Sequence, residues 1–263
     1  MKFILEDAFE GGKLIPALNN LGIPYDEVSY INLISGLYAP EPPSFVFSGL
    51  RFASHFKHNF KKSLPGVLDA GEMGKYYWIR ENLPGKYLLN GYGITGKFEN
   101  VFGNMLALWK AFGPLFVRPM DSYKSFPGLS VETEEKAREA VLFLDTPHNK
   151  GQDCFVAPYQ EIEAEYRFWV FSGNIWTASR YFLKGEISEC QEVPEEAERF
   201  ANEVLTTIYI GGRPPESAYT LDIALLKEKQ WKVVEINGIS SAGLYACDPA
   251  MVVEGVLSVC SKT

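Results

Sequence analysis

The sequence predicts a mixed α/β and α+β protein of two domains. Three observations carry that expectation. A chain of 263 residues that is 46% hydrophobic and 22% charged is long enough for two modest cores. Residues 1–49 read as a compact βαβ start followed by a third strand. From Leu115 onward, strands separated by turn signals dominate, with two hairpins among them. The junction is expected near residue 100, giving a small N-terminal α/β domain over 1–100 and a larger domain over 101–263.

In order, MKFILEDAF is expected as a strand, GGKLIPALNNLG as a helix with Gly22 after its end, and YDEVSYINL and SFVFSG as further strands. Next, Phe52, Phe56 and Phe60 recur at a spacing of four, which predicts an amphipathic helix stopping before Pro65. Its polar face carries Arg51, Lys57, His58, Lys61 and Lys62, read as a solvated basic face rather than a nucleic-acid surface. Residues 75–93 are rich in aromatics and glycine, and NVFGNMLALWKAFG is expected as a helix ended by Gly113-Pro114. LFVRPM starts the strand series. Helices are expected at VETEEKAREAVLFL, capped by Thr133, and at PEEAERFANEVLTTIYI, where Pro194, Glu195 and Glu196 suit a first turn.

The bulk numbers exclude several function classes. A net charge of -8 disfavours nonspecific nucleic-acid binding. No apolar run approaches the roughly eighteen residues of a membrane span. The opening residues turn acidic too soon for a secretory signal, so a cytoplasmic protein is expected. Four cysteines without paired spacing suit reduced thiols. His55, His58 and His148 have no ligand-spaced partners, so histidine chemistry has no support. Neither GxxxxGK followed by Ser or Thr, nor GxGxxG after a strand, occurs.

Chemistry concentrates in three places. In YTLDIALLKEKQWKVVEIN, residues 219–237, a turn at Glu228-Lys229 would set Leu226 opposite Trp231, Ala224 opposite Val233 and Asp222 opposite Glu235, with Asn237 on the Glu235 face. Facing carboxylates within apolar strands need a cation between them, and Asp, Glu and Asn oxygens suit magnesium. In AEYRFWVFSGNIWTASRY, residues 164–181, a turn at Gly173-Asn174 would set Arg167 opposite Arg180, an arrangement that an anion would stabilise. In FVRPMDSYKSFPG, residues 116–128, a strand end delivers Arg118 and a loop carries Lys124, which could fold over phosphates. Together these divide the labour of a nucleoside triphosphate site.

Taken in chain order, from Phe116 to Asn237, the three blocks resemble the ATP-grasp superfamily of carboxylate-amine ligases. They resemble in particular its clade marked by two arginines and a lysine, common in bacteriophages and bacteria. The resemblance implies two α+β subdomains gripping ATP, preceded by an α/β domain. It implies Arg118 and Lys124 on the nucleotide phosphates and CFVAPYQEI as the hinge, with Val156, Ala157 and Tyr159 near adenine. It also implies Glu165 on ribose, Arg167 and Arg180 facing the γ-phosphate and an acyl phosphate, and Asp222, Glu235 and Asn237 holding magnesium. Two departures stand out: the loop keeps only Gly128 of the usual glycines, and Thr220 replaces an arginine common before the metal-binding aspartate. The implied reaction joins a carboxylate to an amine, with a peptide or protein terminus among the acceptors, in the host cytoplasm if the gene is a phage's. A nucleotide-binding interaction protein without catalysis and a kinase-like phosphotransferase of the same fold are the alternatives.

Overall fold

The computed structural model describes residues 1–60, 66–121, 126–145, 149–210 and 216–260. It builds three sheets, of three, four and five strands. The first contains β1 (Lys2–Glu6), β2 (Tyr25–Val28) and β3 (Ser44–Phe47), with α1 (Ile15–Asn20) and α2 (Tyr30–Ile34) in its crossovers and α3 (Leu50–Asn59) after it. Strand β1 lies between β2 and β3, parallel to both. A parallel sheet is covered on both faces, hence the unbroken apolar runs. Phe3, Leu5, Phe45 and Phe47 serve one core, while Ile4 and Val46 meet Leu33, Phe52 and Phe56 in another.

Some expected elements are shorter. The 11–22 helix divides into a 3-10 turn at Glu10–Lys13 and α1. The strand expected over 25–33 stops at Val28, because Ser29 Oγ accepts a hydrogen bond from Asn32 N–H and caps α2. The phenylalanine stripe buries Phe52 and Phe56, but α3 ends at Asn59. Lys61 and Lys62 lie outside the described residues.

The four-stranded sheet follows α4 (Tyr76–Asn82) and contains β4 (Ile94–Lys97). Then come α5 (Phe98–Gly103) and α6 (Met105–Phe112), two helices where one is expected, and β5 (Leu115–Pro119), β6 (Leu129–Val131), α7 (Glu134–Glu139) and β7 (Asp153–Pro158). Gly113 adopts φ +78° after α6, a left-handed position that suits a residue without Cβ. Thr133 caps α7 through Lys136 N–H at 3.2 Å, as its sequence predicts. The strand order is β4-β7-β5-β6, so β4, which precedes residue 100, hydrogen-bonds to β7.

The five-stranded sheet holds β8 (Ile162–Phe171), β9 (Asn174–Leu183), β10 (Glu186–Cys190), β11 (Ala218–Leu226) and β12 (Trp231–Asn237), with α8 (Glu195–Ile210) between β10 and β11 and α9 (Pro249–Cys260) after β12. Its order is β10-β9-β8-β11-β12, antiparallel throughout. Tyr166, Phe168, Val170, Leu221 and Ile223 pack with Ala201, Val204 and Leu205 of α8. On the opposite face, Trp169 and Phe171 share a core with Phe3 and Phe45 of the first sheet and Val252 and Val256 of α9. Among the described residues, no helix is long and apolar enough to cross a membrane.

Both hairpins depart from the simplest register. Their turns lie elsewhere and their strands contain bulges. In β8-β9 the turn is Ser172-Gly173, with φ of 47° and 79°, and extra residues at Trp176 and Tyr181 leave Arg167 opposite Ser179 and Tyr166 opposite Arg180. In β11-β12, Leu226 N–H bonds Gln230 O and Lys229 has φ 62°, which sets Leu225 opposite Trp231 and Ala224 opposite Lys232 rather than Val233. One extra residue, Val234, then restores Asp222 opposite Glu235.

Candidate active site

The β8, β11 and β12 strands bring Arg167, Asp222 and Glu235 to one face of the five-stranded sheet. Asp222 is fully buried and is held by a fork from Arg167: Nε donates to Oδ1 at 2.8 Å and Nη2 to Oδ2 at 2.6 Å. Burial alone would lower the Arg167 pKa, but the Asp222 charge outweighs it, so the guanidinium is held more firmly protonated than usual. Arg167 Nη1 also donates to Gly243 O at 3.1 Å.

Asn237 Nδ2 lies between the two carboxylates, 3.2 Å from Asp222 Oδ2 and 3.0 Å from Glu235 Oε1. An amide N–H₂ therefore occupies the electropositive position that two facing acids demand. With the amide turned over, its Oδ1 would join the carboxylates as a third hard oxygen ligand. Among the described residues, no group of three His, Cys, Asp or Glu side chains is arranged to hold a metal, so the donor set is two acids and one amide. That set has the chemistry to hold a hard divalent cation such as magnesium.

Arg118 reaches this group from the neighbouring sheet. Its Nη1 donates to Val234 O at 3.0 Å and its Nη2 to Glu235 Oε2 at 3.3 Å, while its guanidinium lies 4.1 Å from the centre of the Tyr76 ring. The same bulge that restores the acid pair thus gives Arg118 a carbonyl acceptor. Arg118 Nε and Asn90 Nδ2 are buried donors without partners among the described residues, and both residues line the cleft between the two sheets. This cleft has a volume of about 960 Å³.

Glu165 lies along the same wall. Burial pushes its carboxyl up to about 7, against the opposing hydrogen bond from Tyr181. Tyr181 is raised well above its usual range, first by burial and then by the Asp222 and Glu165 charges. Its ring stacks on Tyr245 at 4.6 Å and 11°, with the Arg167 guanidinium 5.6 Å and 5.0 Å from the two ring centres. The aromatic run of β9 hinted at Tyr181. Nothing in the local sequence marked Tyr245 or Asn90.

Several expected placements change. Arg180 does not face Arg167: the bulges place it opposite Tyr166, on the other side of the sheet, where its guanidinium contacts Ser188 O and Oγ at 3.5 Å and 3.4 Å. Val156 and Ala157 lie inside β7 between β4 and β5, buried and away from the cleft lining, because the strand runs to Pro158. The connecting segment that lines the cleft starts at Tyr159 and continues through Gln160, Glu161, Ile162 and Glu163. Tyr159 N–H is used on Pro114 O at 2.9 Å. Lys124 lies outside the described residues.

Residues 100–254 match the family model described as the ATP-grasp domain, R2K clade family 2. No curated protein sequence matches the chain. Among solved structures, D-cycloserine synthetase DcsG is similar at TM-score 0.63 and 13% identity over 98% of this chain and 99% of its own. D-alanine–D-alanine ligase from Bacillus anthracis is similar at TM-score 0.61 and 14% identity over 99% and 98%. The ATP-grasp ligase PsnB, complexed with a minimal precursor, gives TM-score 0.59 and 11% identity over 98% of each chain. At such identities the likeness speaks for the fold.

Proposed function

The chain belongs to the ATP-grasp domain, R2K clade family 2, and on that premise we propose that it is an ATP-dependent ligase joining a carboxylate to an amine through an acyl phosphate. The observation that carries this reading is the acid pair Asp222 and Glu235 bridged by Asn237, fixed by Arg167 and Arg118 beside a cleft of about 960 Å³. A cavity of that size accommodates a nucleotide.

In this reading Tyr159 to Glu163 border the adenine, and Glu165 meets the ribose hydroxyls. With its pKa raised to about 7, Glu165 can donate as well as accept near neutrality. Arg118 meets the phosphates, and Lys124 would cover them. Asp222, Glu235 and Asn237 Oδ1 would hold magnesium, which when bound neutralises charge on the triphosphate. Arg167 holds Asp222 in place.

The substrate carboxylate attacks the γ-phosphorus and ADP leaves, giving an acyl phosphate. The amine then attacks the acyl carbon and phosphate departs, leaving an amide. No protein nucleophile is required, so catalysis comes from positioning and charge stabilisation.

Glu235→Gln tests the reading. The variant should release ADP about a hundredfold more slowly, or less, with an unchanged melting temperature, since one ligand oxygen becomes an amide. ADP release at the wild-type rate would remove the assignment.

A further inference from the structure

Residues 243–245, which pack against Arg167, are held by side chains from the start of the sequence. Glu10 Oε2 accepts hydrogen bonds from Leu244 N–H and, at 3.4 Å, from Tyr245 N–H. Lys13 Nζ donates to Tyr245 O at 3.2 Å, and it also meets Glu10 Oε1 at 3.2 Å and Glu189 Oε2 of β10 at 3.3 Å. Both side chains belong to the 3-10 turn that follows β1. That turn is seated on the first sheet: the Phe9 ring meets Phe47 edge-on at 5.1 Å, and a Cβ built on Gly11 would come 2.8 Å from Leu5 Cβ. Neither Glu10 nor Lys13 lines the nucleotide cleft.

They hold a residue in an unfavourable conformation. Tyr245 has φ 52°, a left-handed position that a bulky side chain occupies only where its surroundings enforce it. Two N–H groups bonded to one carboxylate, and a carbonyl bonded to the neighbouring ammonium, supply that enforcement. The outcome is the place of the ring, stacked on Tyr181 and 5.0 Å from the Arg167 guanidinium. Arg167 in turn donates to Gly243 O and forks onto Asp222. On the far side of the segment, Asp248 N–H donates to Thr177 Oγ1 at 3.0 Å and Cys247 Sγ lies 3.1 Å from Ser179 Oγ. Strand β9 thus fixes residues 247 and 248, and the N-terminal turn fixes 244 and 245.

Resting on the ligase reading above for its consequence, we infer that Glu10 is a positioning residue of the active site: with Lys13 it keeps the Tyr245 ring over Arg167, and so keeps Asp222 oriented for a magnesium nucleotide. The first sheet thereby contributes to the nucleotide site without lining it. Removing the carboxylate leaves two N–H groups without their acceptor and lets Tyr245 relax its backbone, so the ring leaves the guanidinium. Arg167 is then free to turn away from Asp222. Groups that orient a metal-binding side chain from behind change metal affinity by about ten- to a hundredfold, and Glu10, one contact further out, belongs at the low end.

The test follows the Arg167 Nε–H resonance by NMR of the nitrogen-15-labelled protein, assigned by its loss in Arg167→Lys. That proton donates to Asp222 on a guanidinium flanked by two rings, so its chemical shift reads where the rings lie. Glu10→Ala should move the resonance toward its position in Tyr245→Leu. Glu10→Gln, which keeps an oxygen acceptor, should stay near wild type, and Lys13→Met should fall between. Calorimetry with magnesium and a non-hydrolysable ATP analogue should show Glu10→Ala binding about tenfold more weakly and Glu10→Gln within about threefold of wild type. In a Tyr245→Leu background Glu10→Ala should change nothing further, because Glu10 acts through that ring. An unmoved resonance in Glu10→Ala overturns the inference, as does an unmoved resonance in Lys13→Met should Glu10→Ala fail to fold. A loss of affinity that is the same with and without the Tyr245 ring also overturns it and leaves Glu10 a purely structural contact. If the wild-type protein binds no analogue, the ligase reading falls, and the resonance by itself still decides whether Glu10 sets the ring over Arg167.

Discussion

The β8-β9 and β11-β12 hairpins each carry one extra residue between the turn and the functional side chains, yet only in β11-β12 does that residue fully offset the displaced turn. In β11-β12 the single extra residue, Val234, lies on the turn side of the acid pair, so Asp222 and Glu235 meet on one face. In β9 the extra residues Trp176 and Tyr181 lie on either side of Arg180, and Arg167 and Arg180 emerge on opposite faces. Each bulge advances the register by one residue, and side chains alternate with period two. A bulge therefore decides which face a functional group occupies, and it does so without altering which strands pair.

The two arginines give the sharpest way to break this comparison. Arg167→Met would leave Asp222 fully buried without its ion partner, and urea unfolding should show a loss of about 3–5 kcal/mol. If that variant is as stable as the wild type, the buried pair is not what organises this face. Glu165, on the same strand, should give the next largest effect, read as a pH slope. Its pKa is raised by burial from 4.5 to about 7, so the folded state holds the proton more tightly than the unfolded chain. That stability is fully present below about pH 4.5 and is lost as pH rises through 7, roughly 3 kcal/mol in all. Glu165→Gln should flatten this part of the stability profile.

Gly173 tests the turn itself. An alanine there would take φ +79° and place its Cβ against the Tyr209 ring. Chemical denaturation should register about 1–2 kcal/mol of destabilisation. Repeating the substitution in a Tyr209→Ala background separates ring contact from backbone strain. The smallest effect belongs to Arg180→Met, which removes only contacts to Ser188 and Tyr166 on the far face. Stability should fall by less than about 1 kcal/mol, and ADP release should stay within about threefold of wild type. A large loss of turnover in this variant would mean that Arg180 reaches the reacting groups despite its register.

Much of the molecule was legible because local chemistry specified it. The apolar runs marked the strands, the phenylalanine stripe marked α3, and Thr133 marked the start of α7. The pairing of Asp222 with Glu235 was anticipated from a bulge-free hairpin, yet it arises from a different turn compensated by Val234. In the other hairpin the compensation is incomplete at Arg167, and the expected arginine pair does not form. Val156 and Ala157 stay out of the cleft lining, which Tyr159 joins, because β7 runs on to Pro158 and the connecting segment starts later than the apolar run suggested.

By itself the sequence determined the strand-rich second half, the acid and amide set on β11 and β12, and the motif order that identifies the family. Those features depend on residue type and short spacing, which a strand or turn expresses locally. Tertiary structure alone decided that Arg118 reaches Glu235 across two sheets, that Tyr245 stacks on Tyr181, and that Asp69 lies against Gly238. Such contacts join residues far apart in the chain, and their geometry depends on bulges and packing that shift whole strands by one position. Spacing along a sequence carries no record of that shift.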